Sequence, residues 1–135
     1  MKIVIDTNIF ISSFFWGGNP KEVFERVVNG LDELIITDEI LHEIAVVMSS
    51  SKFSLEKSEI DDYVKIIERF SRKIKSVNKL VFSSRDPDDD KILKCAISGD
   101  VDFIITGDKD LLVIKEYETI KIMKPKDYLE LLTSP

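Results

Sequence analysis

Three short apolar runs, Ile3-Val4-Ile5, Leu34-Ile35-Ile36 and Phe103-Ile104-Ile105, constrain this chain more than any other feature. Each is rich in β-branched residues and lacks polar alternation, the pattern of a strand buried on both faces. Strands of that kind belong to parallel sheets covered by helices. The first run delivers Asp6 as it ends, and the last delivers Asp108 two residues beyond Thr106. Ligands of open parallel sheets bind outside the carboxyl ends of the strands, where the strand order reverses. Two aspartates placed there predict a shared acidic pocket.

The segments between the runs read as helices. Asn19, Pro20 and Glu22 form an N-cap, a first-turn proline and an N3 acid, opening a helix with Val23, Phe24, Val27 and Val28 on one face and Asn29-Gly30 as its stop. Residues 7–15 are mostly apolar, and Asp6 is a fitting N-cap for them. Residues 38–48 form a further helix with a wide apolar face, and residues 56–72 the longest amphipathic one. Asp86-Pro87-Asp88-Asp89 repeats the start signal, with Asp86 as N-cap, for a helix running to Ser98 with Gly99 as its stop. A strand of thin apolar content falls at 74–77 and a last strand at 120–123, and Pro125 opens a last helix through Leu132. Strands alternating with helices imply an α/β domain with a mainly parallel sheet.

At 135 residues the chain is one domain, 1–135, large enough to bury a core without staples. Its single cysteine, Cys95, excludes an internal disulfide and a multi-cysteine zinc site, and reads as a small buried hydrophobe. The first residues lack a signal-peptide pattern and no apolar run is long enough to span a bilayer. A cytoplasmic protein is expected. The net charge of −6 argues against broad salt-driven adhesion to nucleic acid, but not against a nucleic-acid substrate bridged by divalent metal.

Glu43 borders the apolar face of the 38–48 helix, and Glu39 at i−4 repels it unless a cation intervenes. His42 points about 100° away from Glu43 and reads as a surface residue. Capping accounts for Asp86, Asp88 and Asp89, whereas Asp90 shares a face with Leu93, Lys94 and Ile97 and turns toward the body of the protein. Carboxylates converging on one sheet edge raise one another's pKa values unless neutralised. Hard divalent cations solve that problem, activate water and offset charge on a phosphodiester. The dense basic run Arg69, Arg72, Lys73, Lys75 and Lys79 reads as a solvated helix end.

These residues resemble the PIN domain family of Mg2+- or Mn2+-dependent ribonucleases, which includes VapC-type toxins of toxin–antitoxin pairs. The resemblance rests on Ile5-Asp6-Thr7-Asn8, on Glu43 in the 37–43 segment, on the run from Arg85 to Leu93 and on residues 106–112, opening Thr106-Gly107-Asp108. It implies a three-layer α/β/α sandwich around a mainly parallel sheet of four or five strands. It implies an acidic quartet of Asp6, Glu43, Asp90 and Asp108 as the catalytic, metal-binding residues, with Asn8, Thr106 and Asp110 in support. Asp88 and Asp89 compete with Asp90 for the third place; helical face and spacing to Cys95 and Ala96 select Asp90. Arg85, Lys91 and Lys109 are candidate phosphate contacts. The partners implied are RNA as substrate, an antitoxin protein and further copies of the chain in a homodimer or higher oligomer. Two other readings stand beside it. One is a catalytically silent PIN-like scaffold or RNA-binding module; the other is a receiver-like phosphoacceptor domain, which requires an acceptor aspartate where residues 34–37 end in threonine.

Overall fold

The three apolar runs become neighbouring central strands of a single sheet. The computed structural model describes residues 1–76 and 87–133. Among these residues the sheet is ordered β3-β2-β1-β4-β6-β5, with β1 at Lys2–Ile5, β2 at Glu33–Ile36, β3 at Ser71–Lys73, β4 at Phe103–Ile105, β5 at Glu116–Tyr117 and β6 at Ile120–Met123. β1, β2, β3, β4 and β6 run parallel, as expected, and β5 returns antiparallel along β6. Ile3, Leu34 and Phe103 are register partners, so they share one face, and Val4 and Ile104 point to the other. All of them are buried.

Helices cover both faces. α1 (Thr7–Phe15) and α2 (Gly18–Val28) connect β1 to β2; α3 (Asp38–Met48) and α4 (Lys57–Arg69) connect β2 to β3. α5 (Asp90–Ser98) precedes β4, α6 (Lys109–Leu112) follows it, and α7 (Pro125–Thr133) closes the described chain. The Tyr63 hydroxyl donates to the Phe10 carbonyl at 2.8 Å and so joins α4 to α1, while Tyr128 of α7 meets Phe103 edge-on, with ring centroids 5.2 Å apart. α5 lies against Ile35 of β2: the Cys95 thiol reaches the Ile35 carbonyl at 3.7 Å. Burial pushes that thiol up to about 12, consistent with an inert packing residue.

Several boundaries differ from the sequence reading. α2 begins at Gly18, with Gly17 rather than Asn19 at its cap. Gly17 and Gly18 hold φ values of 72° and 65°, a reversal that glycine makes without steric cost and that leads the chain straight from α1 into α2. The third strand lies at Ser71–Lys73 instead of 74–77, and the preceding helix stops at Arg69 to supply it. An edge strand has one open side, so backbone pairing to Leu34, Ile35 and Ile36 carries it without an apolar pattern. Arg72 and Lys73 of the basic run are therefore edge-strand residues, paired with Glu33 at 3.3 Å and with Glu68 and Asp38 at 2.8 and 3.2 Å. Val77, Lys79, Arg85 and Asp86 lie outside the described residues. The expected helix start at Asp86-Pro87 is a 3-10 turn over Pro87–Asp89, and α5 begins only at Asp90. α6 and β5 were not predicted.

From β1 the chain adds β2 and β3 outward on one side, then returns to place β4 on the other side of β1. The strand order thus reverses between β1 and β4. Asp6 and Asp108 stand at the carboxyl ends of those two strands.

Candidate active site

Asp6 is the residue at which β1 becomes α1. Its backbone N–H extends the β1–β4 pairing by donating to the Ile105 carbonyl at 2.9 Å, and its carboxylate caps α1 by accepting from the Thr7 N–H at 2.8 Å. The other carboxylate oxygen accepts from the Thr106 hydroxyl at 2.7 Å. That hydroxyl in turn accepts from the Asp108 N–H at 3.0 Å. Thr106 is wholly buried. One hydroxyl therefore links the Asp6 carboxylate to the Asp108 backbone. Asp108 caps α6, its carboxylate accepting from the Asp110 N–H at 2.8 Å.

Burial is the largest influence on Asp6, which is 5% exposed, and it raises the carboxyl pKa above the ordinary 3.8. The hydrogen bonds from Thr106 and Thr7 oppose that rise, and the charges of Asp108 and Glu43 add to it. The charges of two other expected acids therefore reach Asp6. Carboxylate oxygens of Asp89, Asp108 and Asp110 come within 4.8 Å of one another, with Asp89 buried and the other two half-buried. Asp90, half-buried at the start of α5, lies outside that trio. Asp110, expected as an outer carboxylate, is inside it.

Glu43 is half-buried on α3, and the Lys91 ammonium of α5 contacts its Oε2 directly. Desolvation lowers the Lys91 pKa, but the hydrogen bond and charge of Glu43, with the charges of Asp88 and Glu39, outweigh it and leave the group raised. Lys91 thus supplies, within the chain, a positive charge that contacts Glu43 and that Glu39 also reaches. Lys109 and Asn8 are exposed, as is His42, and Arg85 falls outside the described residues. Thr37 occupies the position of a receiver-like acceptor and caps α3 instead, its hydroxyl accepting from the Ile40 N–H at 3.3 Å.

Two features escaped the sequence reading. The bridging role of Thr106 was not specified, although its place between strand and Gly107 marks it. The Thr7 hydroxyl, next to Asp6, is buried and finds no hydrogen-bond partner among the described residues. All the donors gathered here are hard oxygen atoms, without histidine or cysteine. Such a set fits Mg2+ or Mn2+ and is a poor match for zinc.

Comparison with known proteins bears on the family and the fold. A family model described as "PIN domain" matches residues 2–110. A protein of Methanocaldococcus jannaschii, "Uncharacterized protein MJ1680", is 29% identical over 144 aligned positions that cover 96% of this chain and 90% of the relative. Among solved structures, a chain of "VapBC2 from Rickettsia felis bound to a DNA fragment from their promoter" superposes with a TM-score of 0.63 at 16% identity, covering 90% of this chain and 97% of the other. At that identity the superposition speaks for the fold alone.

Proposed function

The chain belongs to the PIN domain family, a family of nucleases, and on that premise we propose that it is a metal-dependent endoribonuclease acting as the toxin of a toxin–antitoxin pair. The observation that carries this reading is the Thr106 hydroxyl holding Asp6 and Asp108 together at the reversal of strand order. A buried carboxylate with a raised pKa beside other acids is costly to keep charged, and a divalent cation offsets that cost. Asp6, Glu43 and Asp108 would hold the cation, with Asp90 the expected third acid. Proximity to Asp108 and Asp110 favours Asp89 for that place.

When bound, Mg2+ or Mn2+ there supplies an activated water and charge neutralisation for the phosphodiester. The chain's own residues do the positioning. Thr106 fixes Asp6 against Asp108, the α1 cap fixes the Asp6 carboxylate, and Asp110 backs Asp108. Lys109, exposed at the start of α6, and Arg85 are proposed to meet phosphates of single-stranded RNA. With a net charge of −6 the protein relies on such local contacts rather than on a general basic surface. Likeness of fold to a chain of the VapBC2 complex supports an antitoxin partner. Homo-oligomerisation and a cytoplasmic location complete the proposal.

A metal-titrated cleavage assay on defined single-stranded RNAs tests the reading. Wild type should cleave only with Mg2+ or Mn2+ present. Asp88→Asn, Asp89→Asn and Asp90→Asn, run in parallel, identify the third acid as the one whose loss abolishes cleavage. Cleavage undiminished in chelator contradicts the proposal.

A further inference from the structure

Lys91 and Glu43 stand on different helices, 48 residues apart in sequence, with their charged ends in contact. Their side chains are 18% and 28% exposed, so the pair is more shielded than the surface ion pairs that contribute little. The charge of Glu43 also reaches Asp6 at the strand ends. An acidic pocket needs compensation whether or not a metal is bound. In the chain as it folds, that compensation is a lysine.

We propose that Lys91 is a tethered counter-cation of the acidic pocket: its ammonium neutralises Glu43 in the metal-free protein, and a divalent cation gains Glu43 by displacing it. This deepens the metal-dependent reading above and rests on it. Ammonium and metal are both drawn to the Glu43 carboxylate, and two cations crowded on it would repel, so holding one would weaken the hold on the other. Lys91 is a positioning residue that supports the pocket when no metal is bound and lowers the apparent metal affinity. Once displaced, its flexible stem leaves the ammonium close by, where an incoming phosphate offers it a new partner.

Calorimetric titration of Mn2+ into the whole protein without RNA tests this, using wild type, Lys91→Met, Lys91→Arg and Glu43→Gln, each also melted in chelator. Lys91→Met should bind Mn2+ about tenfold more tightly, within the ordinary range of coupled binding, and should melt lower than wild type in chelator. Lys91→Arg should restore the wild-type affinity, and Glu43→Gln should bind Mn2+ more weakly than wild type. In wild type itself, the NMR signal of the Lys91 Cε group should shift as Mg2+ is added, a readout independent of how any variant folds. Equal or weaker Mn2+ binding by Lys91→Met, or an unmoved Lys91 signal while Mg2+ binds, overturns the displacement alone. A wild type that binds no Mn2+ removes the metal-dependent reading and this inference with it.

Discussion

At the scale of single residues, Asp6 is held by opposing forces: burial and neighbouring charge push its pKa up, and two hydrogen bonds pull it down, leaving it raised. The consequence for stability has a definite sign. Below the ordinary value of 3.8 the carboxyl is protonated both folded and unfolded, and its full contribution is present. As pH rises from there through the raised folded value, the unfolded chain ionises first and stability is lost. The metal-free protein should therefore melt at progressively lower temperature across that window, and Asp6→Asn should flatten the decline and melt higher at neutral pH in chelator. Thr106→Val tests the hydroxyl bridge. It removes a buried donor from Asp6 and an acceptor from the Asp108 N–H, and should lower metal affinity about 10- to 100-fold, as loss of such supporting contacts does. Calorimetry with Mn2+ reads this, and circular dichroism confirms the fold. Asp6 and Asp108 were legible in the sequence because a strand end is a local signal. The Thr106 bridge and the Lys91 contact join segments 100 and 48 residues apart, and no local pattern encodes such distances.

At the scale of elements, α5 shows where periodicity loses its phase. A helix counted from Asp86 turns about 100° per residue, but residues 87–89 form a 3-10 turn with three residues per turn. The direction of each aspartate at 88–90 shifts accordingly, which is how Asp89 comes to lie near Asp108 and Asp110 while Asp90 opens the α-helix. The far end of α5 carries a second lesson. α5 stops at Gly99 as the sequence reading has it, but the φ of that cap is −89°, which any residue adopts. Glycine is needed there for space: a Cβ would lie 2.7 Å from Ile35 Cγ2, on a buried β-branched side chain that cannot swing away. Gly99→Ala should thus destabilise by about 1–3 kcal/mol through overpacking, measured by urea denaturation, and an unchanged midpoint would contradict it. Edge strand β3 and the short β5 and α6 were misplaced or missed because backbone pairing and tertiary contact, rather than apolar pattern, make them.

At the scale of the molecule, the doubly wound order of strands positions the candidate site. Burying β1 and β4 side by side brings residues 6 and 108 to one edge, at the reversal of winding where open sheets of this kind bind their ligands. The parallel core was readable from three apolar runs, since strands buried on both faces have no alternative architecture of this size. The order of strands, and hence which acids meet, came from the fold. Membership of the PIN domain family accords with both. The central claim is that these acids work together through a divalent cation to hydrolyse RNA. Its most direct test is Mn2+-dependent cleavage of a defined single-stranded RNA by wild type beside Asp6→Asn, both verified as folded. Cleavage by wild type and its loss in Asp6→Asn, by about a hundredfold or more as for other electrostatic catalytic groups, is the predicted result. Equal cleavage by both proteins would contradict the account.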